Sequence, residues 1–241
     1  MTYCVGLLLN DGMVMLSDTR TNAGLDNIAT YRKMFHFEVP GERIICITTA
    51  GSLSVSQTAI AELREAIEHP EATPDTSILL APTMLKVAEI IGNTLGRVRA
   101  AVDDKLATMR QGASASMIVA GQRKDGVMRL FLIYPEGNFI EATEDTPFLQ
   151  IGEHKYGKPI LDRVVRPETS LADGQKAVLL SMDSTLRSNL SVGMPLDLAV
   201  IAKDALRITL QRRIEAGDAD FRKMSEGWSK ALRDSFLKVK L

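Results

Sequence analysis

The sequence predicts an α+β fold in which two β-sheets pack face to face and paired helices cover each outer face. The predicted elements run in the order strands, two helices, strands, two helices and strands, and such blocks argue against a simple βαβ repeat. The chain has 241 residues, of which 45% are hydrophobic and 24% charged. It is therefore long and apolar enough to bury a full core, and we expect residues 1–241 to form a single domain.

The chain begins with a strong hairpin signal. Two apolar runs, residues 3–9 and 13–17, flank Asn10-Asp11-Gly12. Asn, Asp and Gly at this spacing are typical of a tight turn between antiparallel strands. Residues 21–31, which follow the hairpin, are mostly polar and predict a loop.

A second hairpin and a helix follow this loop. Residues 33–39 alternate between apolar and polar, Pro40-Gly41-Glu42 predicts a turn, and residues 43–49 return as a nearly continuous apolar strand. Residues 52–68 then have helical spacing. A longer amphipathic helix is predicted over residues 79–106, and its wide apolar face indicates that it lies between other layers.

The second half of the chain repeats the order of strands followed by helices. Four short strands are predicted at residues 117–121, 127–134, 138–142 and 148–151. Two helices are predicted next, one opening at Gly152 and running through 160–165, the other over 172–190. A buried strand at 196–202, a further strand or extension at 205–213 and a helix near 221–239 complete the chain.

Composition excludes several classes of function. The formal net charge is -1, which gives no sign of a nucleic-acid partner. No apolar run approaches the ~20 residues that a membrane span needs, and no basic segment precedes a cleavable apolar segment at the N-terminus. We therefore expect a cytoplasmic protein without a membrane partner.

The cysteines and histidines predict no metal site. Cys4 and Cys46 both lie in apolar, strand-like runs, which is typical of buried thiols in a reducing compartment. No His/Cys spacing is that of a zinc site, and we predict no metal and no cofactor. The sequence contains no GxxxxGK[ST] loop, so any dependence on ATP would have to come from a separate ATPase.

Three residues of the first two hairpins form a candidate catalytic cluster. Thr2 directly follows Met1, and removal of Met1 would give Thr2 both a hydroxyl nucleophile and a free amine as base. Asp18 ends an apolar strand, where a buried carboxylate needs a partner. If the two hairpins are neighbours, Lys33 could lie between Asp18 and Thr2, where its ammonium would stabilise a developing alkoxide.

Gly51 is the fourth candidate. It stands between an apolar strand and the helix that begins at Ser52, a place where main-chain N–H groups can approach an oxyanion closely. The positive end of the helix would add to this effect.

Each of these residues also has a simpler explanation. Thr is common at the second position, Asp18 with Arg20 could be an ordinary ion pair at a strand end, Lys33 could belong to a solvated turn, and Gly51 could mark only a bend. The combination of the four residues in this order is much more specific than any one of them.

Several segments together resemble a known family. They are Thr2-Tyr3-Cys4-Val5-Gly6, the run from Leu16 to Gly24, Arg32-Lys33-Met34, Thr49-Ala50-Gly51, and the run from Ser181 to Gly193. These segments, and the order of elements over essentially the whole chain, resemble the proteasome-type threonine peptidases of the N-terminal nucleophile hydrolases. The likeness to the bacterial, proteasome-related Anbu family is particularly close.

The resemblance implies a four-layer αββα sandwich and an attack on a peptide carbonyl by the Thr2 hydroxyl once Met1 is lost. Position by position, Asp18 and Lys33 match the acidic residue and the lysine beside the nucleophile. Gly51 matches the glycine whose N–H lines the oxyanion hole, and Ser191 matches a serine near the nucleophile. Assembly into a ring or helical homo-oligomer that encloses the sites is also implied.

The substrate is expected to be a peptide or protein that contacts Arg20, Thr21, Ser52 and Glu153. Glu153 lies in Ile151-Gly152-Glu153-His154, where proteasome subunits usually have Gly-Ser-Gly, so the serine that helps organise the amine is replaced. If the Glu153 side chain lines the cleft, its carboxylate would favour basic or N-terminal groups of the substrate.

A second departure from the family is Ser188, which stands where an acidic residue usually follows the arginine, here Arg187. Both departures concern groups that tune the amine and its water. Two alternatives to the peptidase also stay open. The fold could hydrolyse a small amide or an isopeptide, or it could be a catalytically silent oligomeric scaffold.

Overall fold

The computed structural model describes residues 1–22, 28–106 and 113–240. The strands of this part of the chain are β1 Tyr3–Leu9, β2 Gly12–Asp18, β3 Arg20–Asn22, β4 Ile28–Thr30, β5 Met34–Val39, β6 Arg43–Gly51, β7 Ala115–Arg123, β8 Arg129–Ile133, β9 Phe139–Glu141, β10 Phe148–Gly152, β11 Leu196–Ala202 and β12 Leu210–Ile214. The helices are α1 Leu53–Glu68, α2 Met84–Leu106, α3 Lys158–Val164, α4 Leu171–Ser188 and α5 Ala219–Lys238.

The strands form two five-stranded sheets and a short ribbon. The first sheet has the order β10-β1-β2-β11-β12, the second has the order β5-β6-β7-β8-β9, and β3 pairs with β4 alone. All neighbouring strands are antiparallel. The first predicted hairpin is confirmed, since Leu9 pairs with Gly12 across the turn.

Three apolar cores separate four layers. One core lies between the second sheet and helices α1 and α2. Another lies between the first sheet and α3 and α4, with Phe221 of α5 at its edge. The third fills the space between the two sheets. The predicted αββα sandwich is therefore confirmed.

Alternation of side chains explains why the strands beside the first turn are apolar throughout. On β2, Val14 and Leu16 face the helices, while Met13 and Met15 face the other sheet. Both faces of the strand are covered, so odd-numbered and even-numbered residues are both buried. No helix in the described part of the chain is long and apolar enough to cross a membrane.

Several predicted boundaries differ from the structure. Helix α2 begins at Met84 rather than Leu79, because Pro82 disfavours helical backbone in the residue before it and the Thr83 hydroxyl accepts from the Lys86 N–H. Leu79 still packs on the same core from a turn. The helix predicted to open at Gly152 is instead a short 3-10 turn at His154–Tyr156, followed by α3.

A further difference lies in the polar loop predicted at residues 21–31. Part of this segment forms the β3–β4 ribbon, in which Thr21 pairs with Ala29. Residues 23–27 of the predicted loop lie outside the described residues.

Candidate active site

A cavity of about 280 Å³ lies at the end of the sandwich where β1 begins and where β2 and β6 end. Its lining brings together Thr2, Lys33 and Gly51, three of the four residues of the predicted cluster. The remaining lining residues are Met1, Thr21, Thr49, Ala50, Leu53 and Ser56. Strand ends from both sheets and the first turns of α1 therefore form one concave site.

Thr2 is almost fully buried, with 7% of its surface exposed, whereas Met1 is 63% exposed. The Thr2 carbonyl accepts a hydrogen bond of 2.8 Å from the N–H of Glu153. Gly152 makes this approach feasible because its φ is +80° and a Cβ at this position would overlap the Thr2 carbonyl oxygen. The segment after β10 thus holds the main chain of Thr2 against the sheet.

Asp18 lies behind the cavity with no exposed surface. Its carboxylate accepts from Lys33 Nζ at 2.8 Å, from the N–H of Tyr3 at 3.2 Å and from the N–H of Gly193 at 3.3 Å. Burial raises the pKa of the Asp18 carboxyl above its ordinary value, while the Lys33 ammonium and the two N–H groups act in the opposite direction. These three donors stabilise the charged carboxylate in its buried position.

Lys33 connects this carboxylate to the cavity. Its ammonium donates to Asp18 and, at 2.6 Å, to the Arg20 carbonyl. The Lys33 carbonyl accepts from the N–H of Thr49, the residue two positions before Gly51 at the end of β6. These contacts hold a positive charge at the wall that also contains Thr2.

The way in which Asp18 and Lys33 meet differs from the sequence-based expectation of neighbouring strands. Asp18 ends β2 of the first sheet, whereas Lys33 directly precedes β5 of the second sheet. The two residues meet across the packed sheets, so their contact depends on how the layers stack.

Gly51 closes β6 in a conformation that favours glycine. Its φ is +100°, and a Cβ would overlap the carbonyl oxygen of Ser114. Ser52 follows as the N-cap of α1, with its hydroxyl accepting from the Val55 N–H at 3.5 Å. The partial positive charge at the start of α1 is therefore directed toward the cavity that Leu53 and Ser56 line.

The other predicted site residues occupy different positions. Thr21 lines the cavity. The Arg20 guanidinium donates to the carbonyl of Leu190, and Glu153 reaches Thr2 through its main chain. Ser191 lies in the loop after α4, where its N–H and hydroxyl donate to the side-chain oxygen of Asn189.

The loop after α4 carries a donor that sequence reasoning missed. Gly193 N–H is one of the three donors to Asp18, and the Arg20 guanidinium packs so closely on Gly193 that a Cβ there would displace it. Gly193 is the last residue of the segments that carry the family resemblance. Its role could not be predicted from the sequence, because a main-chain donor is not marked by any particular side chain. The cavity walls formed by Thr49, Leu53 and Ser56 were also not predicted.

The neighbourhood of Ser188 also has a local explanation. Ser188 is the last residue of α4, and Arg187 before it pairs with Asp183 one turn earlier, at 3.2 Å. Arg187 also donates to the hydroxyl of Ser225 on α5 at 2.7 Å. The arginine is therefore satisfied without an acidic residue at position 188.

The layered fold, with a threonine and a lysine–aspartate pair at its open end, is the arrangement of a proteasome-type subunit. The chain matches the family described as Proteasome subunit over residues 2–201. No curated protein matches it. The chain belongs to the proteasome subunit family, and it has close structural matches to Anbu proteins.

Three of these structures match the chain over almost its full length. An Anbu (Gly-1) mutant from Hyphomicrobium sp. strain MC1 is 46% identical, with a TM-score of 0.93, and the match covers 100% of this chain and 99% of that one. Anbu from Yersinia bercovieri, described as an ancestral beta-subunit, is 40% identical, with a TM-score of 0.91 and coverage of 99% and 98%. A structure titled as the helical assembly of the Anbu complex from Pseudomonas aeruginosa is 44% identical, with a TM-score of 0.92 and coverage of 99% and 97%.

Proposed function

We propose that this chain is a threonine peptidase that hydrolyses peptide bonds with the hydroxyl of Thr2 after Met1 is removed. The observation that carries the proposal is the single cavity lined by Thr2, Lys33 and Gly51, with buried Asp18 paired to Lys33 at 2.8 Å. A buried cation held beside a hydroxyl, at the positive end of a helix, is the environment in which an alkoxide is stabilised.

The proposed reaction begins when the free α-amine of Thr2 accepts the hydroxyl proton, directly or through one water. The oxygen then attacks the scissile carbonyl, and the developing oxyanion is stabilised by the N–H of Gly51 and the start of α1. The C–N bond breaks, the leaving amine takes the proton, and water hydrolyses the remaining ester. While Met1 is attached, the Thr2 nitrogen is an amide and cannot act as the base.

Supporting roles follow from the contacts of the site. Lys33 supplies positive charge beside the hydroxyl, and Asp18 holds Lys33 in place. Ser191 supports the loop from which the Gly193 N–H reaches Asp18. We assign substrate contacts to Thr21 on the cavity wall, and to Arg20, Ser52 and Glu153 around it.

The proposal extends to a homo-oligomer, ring-shaped or helical, that encloses the cavities. It is supported by the Pseudomonas relative, whose structure is described as a helical assembly. We place the enzyme in the cytoplasm and its substrates among peptides and proteins. Any coupling to ATP would require a separate ATPase.

The test combines intact mass with trapping. The wild-type chain is expected to lack Met1, to hydrolyse peptides and to form an adduct on Thr2 with an electrophilic peptide. Thr2→Ala is expected to abolish both reactions, whereas Thr2→Ser, which keeps a hydroxyl, retains measurable activity. Full activity in Thr2→Ala would contradict the threonine mechanism.

The same experiment separates the two alternatives. Hydrolysis of small amides or isopeptides that depends on Thr2, without peptide hydrolysis, would identify an amidohydrolase on this fold. Retention of Met1 together with absence of any adduct would identify a silent scaffold.

A further inference from the structure

Tyr3, the residue after the proposed nucleophile, has a hydroxyl that the mechanism above does not use. The side chain has no exposed surface. Its hydroxyl lies 2.6 Å from Ser181 Oγ on α4 and accepts a hydrogen bond of 2.5 Å from the Gln150 amide on β10. Gly157 completes the enclosure, since a Cβ there would overlap Ser181 Oγ and lie 2.9 Å from the Tyr3 hydroxyl. Two elements that flank β1 therefore hold the tip of this ring.

Thr2 lies beyond the last paired residue of its strand. The pairing of β1 with β10 begins at Tyr3 and Gly152, and the pairing of β1 with β2 begins at Cys4 and Ser17. Residues outside the ladder fray easily unless other contacts fix them. Besides the bonds from the Glu153 N–H to the Thr2 carbonyl and from the Tyr3 N–H to Asp18, the position of Thr2 depends on how firmly the Tyr3 side chain is held.

Side-chain alternation transmits this constraint. Tyr3 belongs to the core under α4, whereas Cys4 faces the space between the sheets, and Thr2 faces the cavity rather than α4. Because successive side chains point to opposite faces of a strand, anchoring the Tyr3 ring on one face fixes the rotation of the strand about its own axis. That rotation sets the direction in which the Thr2 hydroxyl points.

We propose that Tyr3 is a positioning residue for Thr2, acting through the hydrogen bonds of its hydroxyl with Ser181 and Gln150. Its effect on turnover rests on the proposed function, but its effect on the main chain of Thr2 does not. A displacement of about 1 Å at a reacting group can lower a rate by about 10²-fold, so a loosened Thr2 lowers kcat more than it changes KM.

The experiment uses the full assembled chain with Tyr3→Phe and, separately, Ser181→Ala. Each change keeps most of the apolar packing and removes one hydroxyl of the network. The number of active sites is counted as the amount of Thr2 that an electrophilic peptide traps. Per active site, we expect kcat to fall about tenfold while KM stays within about twofold of the wild-type value. We also expect the amide of Glu153 to exchange its hydrogen about tenfold faster by mass spectrometry of fragments that span residues 150–156.

Two control variants separate positioning from general stability. Tyr134→Phe makes the same chemical change at a half-buried tyrosine beyond β8, and it should leave kcat and the Glu153 exchange unchanged. Val200→Ala weakens the core in the middle of β11, so it should lower Tm without changing kcat per trapped Thr2.

The outcomes are distinct. The inference would be overturned if Tyr3→Phe had the same kcat and the same Glu153 amide exchange as the wild type. It would also be overturned if Val200→Ala lowered kcat as much as Tyr3→Phe does at the same loss of Tm. If the wild-type chain has no hydrolysis that depends on Thr2, the proposed function fails. The exchange of the Glu153 amide then still decides whether Tyr3 holds the main chain of Thr2.

Discussion

Asp18 and Lys33 show how single residues define this site. The side chain of Lys33 is 5% exposed and that of Asp18 is fully buried, and the two charged groups pair at 2.8 Å. A buried ion pair adds little net stability, but removing one partner leaves a charge without compensation and costs about 3–5 kcal/mol. The pair therefore holds an ammonium at the cavity wall while adding little to the net stability of the fold.

Replacing Lys33 with Ala should lower turnover by about 10²–10³-fold, since the charge that we propose stabilises the alkoxide is lost. It should also destabilise the chain by about 3–5 kcal/mol, because Asp18 stays buried without its partner. Peptide hydrolysis and denaturant unfolding measure the two effects. The double variant Lys33→Ala with Asp18→Asn should regain most of the stability but none of the turnover. Normal turnover in Lys33→Ala would show that the catalytic cluster is wrongly assigned.

The two cysteines give a second prediction at this scale. Cys4 and Cys46 have no exposed surface, and burial raises the pKa of Cys46 to about 12 and that of Cys4 well above its ordinary value. A raised pKa leaves almost no reactive thiolate at pH 8. A colorimetric disulfide reagent should therefore label neither thiol in the native protein and both after unfolding in guanidinium. Rapid labelling of the native chain at pH 8 would contradict this expectation.

At the scale of elements, the junction between β10 and the 3-10 turn positions Thr2, the proposed nucleophile. Gly152 adopts φ +80° and brings the next N–H, that of Glu153, to within 2.8 Å of the Thr2 carbonyl. The sequence Ile151-Gly152-Glu153 therefore departs from the family at the side chain while still supplying a main-chain donor. A sequence pattern predicted a helix here, because positive φ cannot be seen from periodicity.

The variant Gly152→Ala tests this junction. It combines the cost of a left-handed conformation, about 1–2 kcal/mol, with overlap between Cβ and the Thr2 carbonyl oxygen. We expect turnover to fall by at least about tenfold through displacement of Thr2. Gly41→Ala is the matched control, because Gly41 has φ +71° and a methyl group added there would meet no atom within 4 Å. Equal effects of the two substitutions on turnover would mean that the overlap at Thr2 has no role.

At the scale of the whole molecule, the stacking of two sheets creates the site. Asp18 ends β2 of the first sheet, Thr2 directly precedes β1 of the same sheet, and Lys33 directly precedes β5 of the second sheet. The cavity lies at one end of the sandwich and Thr2 is 7% exposed, so Thr2 contributes little to any outer surface.

Assembly and catalysis should therefore separate. The variant Thr2→Ala is expected to give particles of the same mass as the wild type by size-exclusion chromatography with light scattering, although it hydrolyses nothing. Loss of the assembled form in Thr2→Ala would show that the nucleophile also supports contacts between subunits.

By itself, the sequence determined the layered fold, the first hairpin and the order of the candidates Thr2, Asp18, Lys33 and Gly51, because apolar periodicity and turn residues act over a few neighbouring positions. Tertiary structure alone decided that Asp18 and Lys33 meet across two sheets, that the Gly193 N–H reaches the same carboxylate 175 positions away, and that α1 walls the cavity. Such contacts depend on how layers stack. Main-chain donors occur at every residue except proline, so a sequence does not mark which of them a buried carboxylate will use.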